Sequence, residues 1–142
     1  MSAEKNVALL QRIFEAFARG DIQTILDSCA PDCEFQVIGP AVIPHAGIHI
    51  GREAIRDNYF GPLMNTQTNQ KLKIERYIVQ GDAVVAIGRY KATVKATGKE
   101  LDTTFAMIFE IEGSKVKKYV VLSDSAAGQA AYTGTITASG AA

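Results

Sequence analysis

The sequence predicts a single α+β domain in which helices from the N-terminal half pack on one face of a strongly curved antiparallel sheet. Three observations predict it. Apolar residues recur at three- and four-residue steps only up to about Tyr59. From Lys71 onward, β-branched and alternating residues dominate, cut by turn pairs at Gly81-Asp82, Gly98-Lys99 and Gly113-Ser114. The stretches between these turns are long and consecutive, which makes a meander rather than a set of crossovers. At 142 residues the chain can close one core without disulfide or metal staples. It shows no internal repeat and no linker, so residues 1–132 are expected to form one domain.

The first helix is expected over Ala3–Arg19. Val7, Leu10, Ile13, Phe14 and Phe17 form its apolar stripe, Ser2 caps its start, and Gly20 suits its left-handed stop. Asp21 caps a second helix that buries Ile22, Ile25, Leu26 and Cys29, and Pro31 ends it. Cys33–Ile38 reads as a strand, residues 39–44 as a Pro-bounded loop, and Ala46–Ile50 as a short strand. A third helix follows from Arg52 to Tyr59, broken by Gly61-Pro62. The meander strands are Lys71–Gln80, Ala83–Thr97, Glu100–Glu112 and Lys115–Asp124, with Gly88 a bending point in the second. A short helix over Ser125–Tyr132 closes the domain. Residues 133–142 are small and polar, and read as a disordered tail.

Charge and composition narrow the function classes. Fifteen basic and fifteen acidic residues cancel, and the cluster Lys115, Lys117, Lys118 reads as a solvated hairpin end. Nucleic-acid binding is therefore not expected. No run approaches the about 18 apolar residues of a membrane span, and Met1–Asn6 lacks a signal-peptide core. No membrane association and a cytoplasmic location are expected. Cys29 and Cys33 lack a second Cys/His pair at metal spacing, so no metal and no cofactor are expected.

The strand Leu101–Ile111 has an unusual pattern. Leu101, Thr103, Phe105, Met107, Phe109 and Ile111 share one face, while Ala106 and Ile108 make the centre of the other face apolar as well. Tyr119–Leu122 repeats this on the next strand. Helices cover only one face, so the second patch predicts a homodimer through the sheet.

Three stretches resemble the SnoaL-like, ketosteroid-isomerase-like branch of the nuclear transport factor 2 superfamily. They are the helix joint Ala16–Asp21, the segment Pro44–Ile55, and the hairpin Phe105–Asp124. The resemblance spans about residues 4–130. It implies a conical sheet lined by helices, a pocket inside the cone, and dimerisation through the sheet. Relatives include isomerases, polyketide cyclases, epoxide hydrolases, dehydratases and non-enzymatic binders, so the fold alone does not assign an activity.

The resemblance also implies where catalytic groups would stand. The ketosteroid isomerases of this superfamily use an Asp base, with a Tyr and a protonated Asp as oxyanion hole. Those positions fall here on Val37, Ile13 and Met107, which argues against that mechanism. The Asp–Arg–Asp set of the epoxide-hydrolase variant is also not visible. The expected pocket residues are Phe14, Phe17, Gln36, Val37, Tyr59, Phe105, Met107, Tyr119 and Val121, holding a small apolar ligand or substrate. His45, at the pocket mouth, and Asp124, at the end of the last strand, are the candidate acid–base residues if the protein is an enzyme of the isomerase, cyclase or hydrolase type. Asp124 has a competing role as a helix cap. The last hairpin leaves two registers open. A two-residue turn pairs Glu110 with Lys117 and sets Val120 beside Met107, whereas a bulged turn sets Tyr119 and Val121 on the Met107 face.

Overall fold

The computed structural model describes residues 2–134. Of the expected tail, residues 135–142 lie outside the described residues. Helix α1 (Ala3–Ala18) starts where Ser2 Oγ accepts the Lys5 N–H at 3.1 Å, and the chain leaves it through Gly20 at φ +73°. Helix α2 (Ile22–Asp27) is capped by Asp21, whose carboxylate accepts the Thr24 N–H at 3.1 Å and the Thr24 hydroxyl at 2.6 Å. Strand β1 then begins at Cys29 and runs to Val37. Cys29 is therefore a strand residue rather than a helix-face residue. Pro31 does not fall between elements but inside β1, where pairing with the neighbouring strand slips between Cys29 and Glu34. An irregular stretch of that kind tolerates a residue with no N–H. Both cysteines are free and buried, as small apolar side chains would be.

Strand β2 is Gly47–Ile50. Helix α3 (Arg52–Ala54) runs on through a π-helical turn, Ile55–Phe60, into helix α4 (Gly61–Thr66). Gly61-Pro62 does not break the helix. In a regular α-helix the proline ring would clash with the carbonyl four residues back. Here the wider turn, closed by the Gly61 N–H on the Arg56 carbonyl, absorbs the conflict.

The remaining strands are β3 (Gln67–Gln80), β4 (Ala83–Val94), β5 (Glu100–Glu112) and β6 (Lys115–Ser123), followed by α5 (Ser125–Tyr132). Strand β3 starts earlier and β4 stops earlier than the sequence pattern predicts. The difference at β4 arises because residues after Val94 turn back: the Gly98 N–H donates to the Val94 carbonyl at 2.8 Å. The six strands form one curved, unclosed sheet in the order β2-β1-β6-β5-β4-β3. All neighbours are antiparallel except β1 and β6, which run parallel. Gly88 marks a close backbone approach. A Cβ there would lie 1.9 Å from the Lys73 carbonyl oxygen, next to the slip in β3 pairing between Ile74 and Arg76.

The last hairpin combines both registers left open by the sequence. Gly113 and Ser114 form a two-residue turn with φ +56° and +64°, and Glu112 faces Lys115. A bulge follows at once, so Glu110 pairs with Lys118, and Tyr119 and Val121 come opposite Phe109 and Met107. Lys117, the extra residue, instead bonds the Asp32 carboxylate at 2.6 Å.

The concave face of the sheet and the helices α1, α2 and the 52–66 segment enclose the core. Leu10, Ile13, Ile25, Phe35, Ile55, Val84, Phe109 and Tyr119 lie within it. On the opposite face, one line of residues crosses every strand in register: Ile48, Gln36, Val120, Ile108, Val85, Ile78. Gln36 is thus on the outer face, because its neighbours Phe35 and Val37 point inward. Among the described residues no helix is long and apolar enough to cross a membrane.

Candidate functional site

Strand alternation delivers the site. On β5, the odd-numbered residues from Leu101 to Ile111 face the helices. On β1 and β6, Phe35 and Tyr119 are register partners, and Tyr119 is in turn opposite Phe109. Their rings meet at centroid distances of 4.6 and 5.1 Å. Helix α1 lowers Ile13, Phe14 and Phe17 onto this aromatic floor. The π-turn adds Tyr59 and Phe60.

Two adjoining cavities result. The first, of about 120 Å³, is an aromatic chamber walled by Phe14, Phe17, Phe35, Phe60, Phe109 and Tyr119, with Ile13, Leu63 and Leu72. The second, of about 90 Å³, lies under α5 and the loop that carries Ile38 and Ile43. Its apolar wall includes Val37, Phe105 and Val121. Its polar wall is Gln67, Thr103, Ser123, Asp124 and Tyr132. His45, Tyr59, Tyr90 and Met107 line both chambers.

His45 is the most perturbed group at the junction. Its ring packs edge-on against Tyr59 at 5.8 Å and Tyr132 at 6.5 Å. Burial first, and the neighbouring His49 second, lower its pKa from 6.5 to about 4, so it is neutral at pH 7. Its Nδ1 is buried with no hydrogen-bond partner. His49 lies on β2, the edge strand of the sheet, and is nonetheless buried; its Nε2–H donates to the His45 carbonyl at 2.9 Å. That bond fixes the His49 tautomer and ties down the loop that presents His45. Deeper in, the hydroxyls of Tyr59 and Tyr119 share a bond of 3.3 Å. Burial raises the pKa of both phenols.

The polar chamber is organised by hydrogen bonds between distant residues. Gln70 Nε2 is 2.9 Å from the Tyr90 hydroxyl, and that hydroxyl is 2.6 Å from Gln67 Oε1. Gln67 Nε2 is 2.8 Å from the Tyr132 hydroxyl, which is 2.8 Å from Thr66 Oγ1. Thr66 Oγ1 donates to the Pro62 carbonyl at 2.8 Å. Asp124 is exposed, and its carboxylate accepts the Ala127 N–H at 3.1 Å as the cap of α5. Its own N–H donates to Thr103 Oγ1 at 3.1 Å.

Of the site residues read from the sequence, Phe14, Phe17 and Tyr119 lie in the aromatic chamber; Val37, Phe105, Val121 and Asp124 in the polar one; and His45, Tyr59 and Met107 at both. Gln36 reaches neither, for the parity reason given above. Ile13, Val37 and Met107 do line the cavities, and none carries a group able to exchange a proton. Sequence reasoning missed Tyr90, Gln67, Thr103 and Tyr132. Alternation along Ala86, Gly88, Tyr90 and Ala92 was the available signal for Tyr90. Gln67 stood outside the expected strand, and Tyr132 on a helix with no stated face.

A curved sheet with helices on its concave side, enclosing chambers of this kind, defines an α+β cone with an internal site. The chain belongs to the SnoaL-like domain family, which matches residues 10–119. Its structure is similar to an NTF2-like protein of unknown function from Burkholderia pseudomallei, at TM-score 0.86 and 20% identity, covering 94% of this chain and 100% of that one. It is similar to TerC, co-crystallised with polyporic acid, at TM-score 0.81 and 19% identity, covering 90% and 98%. It also resembles a candidate SnoaL-like polyketide cyclase from Jannaschia sp. CCS1, at TM-score 0.78 and 17% identity, covering 93% and 95%. No curated protein matches the chain.

Proposed function

We propose that this protein binds a small, mainly apolar molecule in the cone, with the aromatic chamber taking its body and His45 orienting it. The observation that carries this reading is an aromatic cavity of about 120 Å³ bordered by a neutral imidazole with an unpartnered, buried Nδ1. Leaving such an atom unpaired costs about 1–3 kcal/mol. A ligand group that reached it would offset that cost. Pockets of this composition, apolar with a few placed polar groups, are the usual form of small-molecule sites. The co-crystallisation of TerC, a protein of similar fold, with polyporic acid supports an organic ligand for this chain. Native mass spectrometry after mild purification tests the reading, together with calorimetric titration of propylbenzene. Retained mass or saturable binding is expected. Neither retained mass nor propylbenzene binding would sink it.

A second reading makes the same imidazole a general base in an isomerase, cyclase or hydrolase reaction. Its support is that His45 is neutral, buried and at the junction of the chambers, the state a base requires. Asp124 is the weaker candidate, because capping α5 already occupies its carboxylate. Conversion of the retained molecule by wild-type protein, lost in His45→Gln, is the expected sign of catalysis. Equal conversion by both proteins would exclude His45 from it.

We also propose a homodimer through the outer face of the sheet. The apolar line Ile48–Gln36–Val120–Ile108–Val85–Ile78 is flanked by Glu34, Lys118 and Glu110 on one side. Arg76, Lys73, Arg89 and Lys91 lie on the other, where Asp102 pairs with Arg89 and Lys91. A two-fold axis along the line lays the apolar residues of one copy on those of the other. Light scattering is expected to give a dimer that Ile108→Lys converts to a folded monomer.

A further inference from the structure

The hydrogen bonds of the polar chamber have a direction, and one carbonyl fixes it. The Pro62 carbonyl only accepts, so the single Thr66 hydroxyl proton goes to it. Thr66 Oγ1 must then accept from Tyr132, which uses up the Tyr132 proton. Tyr132 oxygen therefore accepts from Gln67, and Gln67 must turn its nitrogen to Tyr132 and its oxygen to Tyr90. The Tyr90 proton goes to that oxygen, and Tyr90 oxygen accepts from Gln70. Every step is forced by the one before it, and neither glutamine can be flipped without breaking a bond. The same logic holds across the chamber. Thr103 gives its proton to the Thr104 carbonyl and accepts the Asp124 N–H.

The consequence is chemical. Tyr90, Tyr132 and Thr103 look like versatile hydroxyls in the sequence, yet their protons are all committed inside the protein. Each already accepts one bond inside the protein, so what each can still offer a ligand is its remaining lone pair. The Asp124 carboxylate at the chamber's edge adds more acceptor capacity and a negative charge. The donors left at the chamber are Ser123, the second Gln67 N–H, the ring N–H of His45, and the one proton that the Tyr59–Tyr119 pair does not use. We infer that the Tyr90–Thr103 wall of the polar chamber favours a ligand group that donates a hydrogen bond to it, so that the molecule taken up is an apolar body bearing a neutral hydroxyl, preferred over the ether and the carboxylate of the same shape. This rests on the binding reading above and adds the class of ligand to it.

Direction of hydrogen bonding is the discriminating quantity. A hydroxyl donor meets a lone pair on Tyr90, beside the aromatic chamber. An ether of the same frame brings oxygen against oxygen with no proton between them, and a carboxylate adds like charge near Asp124.

Four probes of one shape separate the possibilities: propylbenzene, para-propylphenol, para-propylanisole and para-propylbenzoate, titrated calorimetrically into the full chain at pH 7. The phenol is expected to bind about ten-fold more tightly than the anisole, the size of one net hydrogen bond. The benzoate is expected to bind more weakly than propylbenzene. In Tyr90→Phe, and likewise in Thr103→Val, the ratio of phenol to propylbenzene affinity should fall toward one, whatever the change in propylbenzene affinity itself. A second variant, Thr103→Val, covers the case in which Tyr90→Phe fails to fold. Anisole or benzoate binding as tightly as the phenol, with propylbenzene also bound, would overturn the donor selectivity and leave the binding reading standing. No binding of any probe would overturn both.

Discussion

The aromatic and polar chambers meet at His45, Tyr59, Tyr90 and Met107, but different forces hold their walls. The aromatic chamber is built from rings that touch ring to ring, such as Phe14 on Phe109 at 6.0 Å and Phe35 on Tyr119 at 4.6 Å. Its integrity depends on volume, and volume is shared among many neighbours. The polar chamber is built from a single file of hydrogen bonds running from Gln70 to Pro62. Its integrity depends on each link, and each link has one partner on either side. The first wall should yield by degrees when a side chain is trimmed. The second should lose two links at once when one member is removed.

The largest effect expected is in the aromatic wall. Phe109 is 3% exposed, and Phe109→Ala should cost about 3–5 kcal/mol in chemical denaturation. At the junction, His45 gives a pH signature. Its pKa falls from 6.5 to about 4 in the fold, so the unfolded chain takes up the proton first. Stability from this group is intact above about pH 6.5 and is lost as pH falls toward about 4, a change on the order of 3 kcal/mol. Urea midpoints between pH 7 and pH 4 should therefore fall more steeply for wild type than for His45→Phe, and parallel curves would refute the burial of a neutral ring.

In the polar wall, Gln67→Leu keeps the volume and breaks two links, at an expected cost of about 2 kcal/mol. The same change should remove protection of the Tyr90 hydroxyl from exchange, observed by NMR. A cost above that of Phe109→Ala would invert the comparison. The smallest effect belongs to Gly128→Ala. The new Cβ would lie 2.8 Å from the flexible end of Ile43, so a loss of about 1 kcal/mol is expected, with the loop around Ile43 displaced in a crystal structure.

The two walls also differ in how far the sequence discloses them. Phe14, Phe17, Met107 and Tyr119 could be placed because helical and strand periodicities say which way an apolar side chain points. The file of hydrogen bonds joins residues 66, 67, 70, 90 and 132, and no local pattern couples positions so far apart. Only the sheet order and the return of α5 bring them together. Gln36 shows the reverse error: its polarity suggested a pocket role, but parity with Phe35 and Val37 decided its face. Asp124 was legible in both of its possible roles, and the structure fills the capping one.

The π-turn at Ile55–Phe60 has a consequence of another kind. A regular α-helix would turn residue 60 away from the face of residues 55 and 59, whereas here Ile55, Tyr59 and Phe60 are all buried. The surplus residue of the i→i+5 turn carries Phe60 round to the face that Ile55 and Tyr59 already share. Deleting a single residue from this turn would restore ordinary helical spacing and evict one of the rings while leaving the composition of the cone almost unchanged. Segment length, independently of residue identity, is then a dial by which this architecture can reshape what it encloses.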